Sequence, residues 1–148
     1  MSGSATSPEP VLRKILHFDS PAEVYKADAC VITCFDARFD AAIRKFLKGH
    51  SITLYDHVKI PGSAKVLGAP DYEADRDFAM RMVRTSIRLH RPTRFLLIGH
   101  NDCGAYPGKP PAVVSADLLQ AAAYLRKAEP SIPVDAYFAD FDGIYEVA

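Results

Sequence analysis

Two short stretches carry apolar residues at every position rather than at alternate ones. Ala29-Cys30-Val31-Ile32-Thr33-Cys34-Phe35 has no charge before Asp36, and Phe95-Leu96-Leu97-Ile98 is flanked by Arg94 and Gly99. Runs this short, rich in branched side chains and apolar on both parities, predict strands buried on both faces, over Cys30–Cys34 and Arg94–Ile98. Other stretches keep a helical period. After Asp40, a fair N-cap, Ile43, Phe46 and Leu47 share one face; Arg44, Lys45 and Lys48 share the wet one, and Gly49 stops the helix. A longer helix is predicted from about Tyr72 to His90, with Ala79, Met82, Val83, Ser86 and Ile87 inward and Arg76, Arg81, Arg84 and Arg88 in water. Ser115 is expected to cap a last helix, Ala116 to Ala128, whose buried stripe is Leu118, Leu119, Ala122 and Leu125.

Between these elements, Ser51 to Ile60 reads as a strand with Ile52, Leu54 and Val58 inward, closed by Pro61-Gly62-Ser63. Val134–Ala139 and Ile144–Val147 read as a terminal hairpin turning through Asp140-Phe141-Asp142-Gly143. Near the start, Val11, Leu12, Ile15 and Leu16 predict a short amphipathic helix ending before Asp19-Ser20-Pro21, with packing as its role. Residues 1–10, rich in Ser and Pro, bury too little apolar surface to offset their ordering entropy and are expected to be a flexible tail. The alternation of strands and helices implies an α/β domain over residues 11–148, with a mainly parallel sheet flanked by helices and a C-terminal hairpin. Sites in such sheets lie beyond the carboxyl ends of the strands.

Composition narrows the function. In 148 residues, 49% hydrophobic and 24% charged, there is enough apolar material for one real core. Lys plus Arg and Asp plus Glu are balanced at 18 each, which argues against the broad basic surface that nucleic acid or an anionic membrane requires. A small neutral substrate fits better. No apolar run approaches the ~20 residues that span a bilayer, and the start Met1-Ser2-Gly3-Ser4 lacks a signal peptide's basic and apolar regions, so the expected location is cytoplasmic. Gly104-Ala105-Tyr106-Pro107-Gly108-Lys109-Pro110 is not a phosphate loop, because its glycine spacing is wrong and proline stands where Ser or Thr is required.

The chemistry concentrates where the two buried strands end. One runs into Cys34-Phe35-Asp36-Ala37-Arg38, the other into Gly99-His100-Asn101-Asp102-Cys103-Gly104. Thiolate and imidazole are preferred zinc ligands, and three protein ligands with one open position mark a catalytic rather than a structural zinc. Cys34, His100 and Cys103 supply that set, one zinc ion per chain. Taken singly, each is as well explained by core burial or a bonded loop histidine; the joint placement favours the metal. Cys30 shares the strand parity of Cys34 but lies four residues back, roughly 13 Å at ~3.3 Å per residue, so it is assigned to the core. His17, His50, His57 and His90 lack partner spacing and are read as solvated or locally bonded. Asp36 and Arg38 are close enough for the guanidinium fork to hold the carboxylate. So held, Asp36 would orient the nucleophilic water; released, it could take the fourth position and shut the site.

Together, Cys34-x-Asp36-x-Arg38 and His100-x-x-Cys103-Gly104 resemble the signature of the β-class carbonic anhydrases, and the order of elements extends the resemblance over most of the chain from about residue 11. The resemblance implies that fold, zinc bound by Cys34, His100 and Cys103, and catalytic roles for the Asp36/Arg38 dyad in gating or orienting the fourth ligand. It also implies reversible hydration of carbon dioxide to bicarbonate by a zinc-bound hydroxide, and assembly into at least a homodimer. The chain departs from the family where an Arg-Asn-Ala-Gly-like stretch is replaced by Lys59-Ile60-Pro61-Gly62-Ser63, and its one glutamine, Gln120, falls in a predicted helix. Two alternatives share these ligands: a non-catalytic zinc-binding relative acting as a binding module, and a hydrolase of another small linear molecule such as carbon disulfide or carbonyl sulfide. Two thiolates cancel the charge of Zn²⁺, so activity is expected to rise into the alkaline range, unlike sites with three neutral histidines whose water reaches a pKa near ~7.

Overall fold

In the computed structural model, which describes residues 3–23 and 25–148, the uncharged run forms strand β1 (Ala29–Thr33), buried at every residue. Strands β2 (Tyr55–Lys59) and β3 (Phe95–His100) pair with it from either side, both parallel. Strand β4 (Val134–Asp140) continues parallel beyond β3, and β5 (Gly143–Val147) closes the sheet antiparallel, giving the order β2-β1-β3-β4-β5. Side chains alternate across β1, so it feeds two cores. Cys30 and Ile32 join Phe95, Leu97, Ala136 and Phe138 beneath helices α2 (Lys65–Gly68), α3 (Glu73–His90) and α4 (Pro111–Ala128). Ala29 and Val31 join Leu96, Ile98 and Ala139 against helix α1 (Asp40–Gly49), which packs through Ile43 and Leu47. Burial of a Leu or Ile at such positions contributes about 1.5–3 kcal/mol each, which is why β1 and β3 are the centre of the sheet.

The chain is drawn tight at Gly68. A Cβ there would lie 2.3 Å from the Asp117 carbonyl oxygen of α4, so only glycine lets α2 approach that backbone. On the same side Asp56 of β2 accepts from Ser86 Oγ at 2.7 Å and from His90 Nδ1 at 2.9 Å, tying the edge strand to α3.

Several expectations are corrected. No helix forms over Val11–Leu16; these residues are unpaired and exposed, since six residues cannot nucleate a helix without a surface to pack on. Helix α4 begins at Pro111 rather than at Ala116 behind a Ser115 cap, because proline suits the first helical position, where its missing N–H costs nothing. The strand expected from Ser51 starts only at Tyr55, and Leu54 is 44% exposed rather than inward. In α3, Met80 rather than Met82 is fully buried. Arg76 is not a wet residue: Nε and Nη2 donate to the Leu67 carbonyl, and the guanidinium lies 4.6 Å over the Tyr124 ring. Among the described residues, no helix is long and apolar enough to cross a membrane.

Candidate metal centre

Strands β1 and β3 lie side by side and parallel, so their carboxyl ends emerge together. The chain after β1 turns towards β2, while the chain after β3 turns towards β4, on the other side. The two loops therefore diverge and leave a crevice between them, as at the switch point of other open parallel sheets. Cys34 enters it just beyond β1, His100 from the last position of β3 and Cys103 from the loop that follows. The ligand atoms of all three lie within 4.8 Å of one another and the residues are buried. The two sulfurs are 3.9 Å apart.

The imidazole of His100 is set by its surroundings. Its Nδ1–H donates to the Asn101 carbonyl at 2.6 Å, and Phe39 packs against the ring with centroids 4.6 Å apart. Nε2 is thereby left as the lone-pair nitrogen, buried and without a hydrogen-bond partner. An unsatisfied buried nitrogen costs about 1–3 kcal/mol unless something fills its lone pair. A tetrahedral zinc with bonds of ~2.3 Å to sulfur spaces two thiolates about 3.8 Å apart, which matches the separation here. The residues present fit such an ion.

Their electrostatics agree. Burial pushes the Cys34 thiol up, but the neighbouring His100 imidazole and the amides of Gly62 and Asp36 outweigh it and bring the thiol down to about 7. Burial and the adjacent Cys34 thiolate hold Cys103 above the usual thiol range, despite the Ala105 and Gly62 amides. Burial works against the charged form of His100, yet the Cys34 thiolate, the Asn101 carbonyl and Asp36 raise it overall. A first thiolate thus forms more readily than a second. Gly62 has a φ of +79° and a would-be Cβ 2.9 Å from Ala105 Cβ, so a residue without a side chain is what lets its amide come close to both sulfurs.

Asp36 stands at the mouth, with Oδ2 3.9 Å from His100 Nε2. Arg38 grips it through Nε, at 3.1 Å to both oxygens, and Nη2, at 2.7 Å to Oδ2, while the Arg38 amide donates to Oδ1 at 3.0 Å. These bonds hold the carboxyl down at about 2. The other edge of the guanidinium meets Asp102, with Nη1 3.0 Å from Oδ2 and Nη2 3.0 Å from the backbone oxygen. A cleft of ≈ 370 Å³ opens outside, lined by Cys34, Asp36, Pro61, Gly62, Cys103 and Ala105 among others.

All five residues singled out in the sequence meet here. Cys30 does not: it is fully buried among core side chains, and burial lifts its thiol to about 11. His50 is locally bonded, to the Phe46 carbonyl, but His90 is held by distant Asp56 and His57 Nε2 meets Thr33 Oγ1 at 2.7 Å, so neither is merely solvated or local. Sequence reasoning passed over Asp102 and Asn101. Their one signal was position, since the two residues between His100 and Cys103 must turn the ligand loop.

A model of the family described as putative carbonic anhydrase matches residues 25–148. Among curated proteins none matches the chain in sequence. Among solved structures, the carbonic anhydrase of Streptococcus mutans superposes with a TM-score of 0.62 at 14% identity, covering 89% of each chain. β-Carbonic anhydrase isoform I of Trichomonas vaginalis gives 0.63 at 10% identity, over 88% of this chain and 87% of that one. The carbonic anhydrase of Glaciozyma antarctica gives 0.61 at 14%, over 85% of each. At such identities the structures establish a shared fold, and the family match, spanning most of the chain, establishes membership. The chain is a divergent member of the β-carbonic anhydrase family of lyases.

Proposed function

We propose that the protein catalyses the reversible hydration of carbon dioxide to bicarbonate, with one zinc ion held by Cys34, His100 and Cys103. The observation that carries this reading is the buried, unpartnered Nε2 of His100, aimed at two thiols whose sulfurs are 3.9 Å apart. Bound there, zinc would lower the pKa of a coordinated water and so supply a nucleophile, less strongly than with three neutral imidazoles, which places the rising rate in the alkaline range. The chain's own residues supply the rest. Asp36, kept ionised by Arg38, offers an acceptor oxygen to the attacking water and orients it towards the carbon. Each turnover combines one water with one carbon dioxide and releases bicarbonate and a proton.

Support for a homodimer or larger homo-oligomer comes from Val11, Leu12, Ile15, Leu16 and Phe18, which are 76–94% exposed in the single chain. Apolar surface of this kind marks a contact. The test of function is zinc analysis with stopped-flow hydration of carbon dioxide, using Cys34→Ser as the control. Stoichiometric zinc and a rate that climbs above neutral pH, both lost in Cys34→Ser, are expected. Stoichiometric zinc without hydration would overturn the reading in favour of a binding module or of a hydrolase for carbon disulfide or carbonyl sulfide, and a metal-free, folded protein would exclude all three.

A further inference from the structure

We propose that Asp102 is a positioning residue that anchors Arg38 to the ligand loop and so keeps Asp36 turned away from the open position; this rests on the zinc site proposed above. The argument begins with what Arg38 can and cannot do alone. Asp36 caps the short turn Ala37–Phe39 that carries Arg38, and the Arg38 amide holds its Oδ1. Oδ2, the oxygen that faces His100, is held only by the guanidinium, so it is fixed only as far as that side chain is fixed. Asp36 Oδ2 is already only 3.9 Å from His100 Nε2, so a small excursion of that pair would carry the carboxylate into the site.

Asp102 supplies the fixed point. It belongs to the other loop, and it takes the guanidinium edge that Asp36 leaves free, Nη1 through its carboxylate and Nη2 through its backbone oxygen. Phe141 closes one side of the group, with its ring centroid 5.3 Å from Cζ. Asp102 is in turn held. Its φ of +54° presents both of its oxygens to Arg38, its N–H donates to Asn101 Oδ1 at 2.9 Å, and Asn101 reaches strand β4 through Nδ2 to Asp140 Oδ1 at 3.1 Å and through its amide to the Ala139 carbonyl at 2.9 Å. The brace therefore runs from Asp36 through Arg38, Asp102 and Asn101 into the sheet. Asp, Asn and Gly are the residues that tolerate a left-handed backbone, so two substitutions leave the turn intact while altering the contact. Asp102→Gly removes the carboxylate; Asp102→Asn keeps a neutral acceptor.

The test uses zinc-loaded protein labelled with nitrogen-15 in arginine, and cobalt-substituted protein titrated with azide as a probe of the open position. In the parent, the Arg38 Nη signals should be resolved by slow rotation. In Asp102→Gly they should average, and azide should bind about two- to fivefold more weakly because Asp36 competes for the position, the range expected of an exposed ion pair. Asp102→Asn should fall between, and stands as the test if the glycine variant fails to fold. Unchanged Arg38 signals, or unchanged azide affinity, in a folded variant with full metal content would overturn the proposal. Neither readout needs turnover. A parent without hydratase activity would therefore sink the proposed reaction and leave the brace to be judged by its own result.

Discussion

His100 divides the work of one ring between two nitrogens. Because Nδ1–H is committed to the Asn101 carbonyl, the neutral ring carries its lone pair on Nε2, which has no hydrogen-bond partner. Replacing His100 with Ala should leave a folded protein without stoichiometric zinc, as read by metal analysis beside circular dichroism. Asp36 makes a second prediction. Hydrogen bonds from Arg38 hold its carboxyl at about 2, against 3.8 for a free aspartate, so the bonds stabilise the fold above about pH 4 and are lost as pH falls towards 2. In the metal-free protein, carbon-13 detection of the Asp36 carboxyl should show that low midpoint, and Arg38→Gln should move it up towards the ordinary value; an unmoved midpoint would refute the assignment of cause. At this scale the sequence was legible wherever a residue type has one use in its setting: thiols and an imidazole at strand ends leave few readings. Asp102 was not, since an aspartate in a loop is ordinary until its carboxylate is seen against a guanidinium 64 residues away in the chain.

Elements were legible in proportion to their burial. Strands β1 and β3, apolar on both parities, needed no tertiary knowledge, and α3 was missed by a single residue at its start. The errors fall where a neighbour decides. The short helix α2 has four residues and no periodicity to read; it exists because Val66 and Leu67 are buried and Gly68 admits the backbone of α4. Gly68→Ala should therefore cost about 1–3 kcal/mol, more than any helix-propensity gain, as measured by urea unfolding. A stability equal to or above the parent's would mean that the α2–α4 crossing relaxes freely. The stretch from Val11 to Leu16 shows the opposite error, a helical pattern without a surface to stabilise it within one chain.

For the whole molecule that stretch separates folding from assembly. Deleting residues 1–22 should leave zinc content and near-ultraviolet circular dichroism unchanged, because the core begins at Ala27, but should lower the mass found by light scattering. An unchanged mass would place the subunit contact elsewhere. The pairing of β1 with β3 reaches further. It brings together cysteines 69 residues apart in the chain, so no complete coordination sphere exists until the sheet's centre has closed. A cation that binds only after closure cannot guide the search for the native topology; it acts on the way out. Zinc should slow unfolding by orders of magnitude while hardly changing the refolding rate, making the ion a latch on the finished sheet rather than a seed for it.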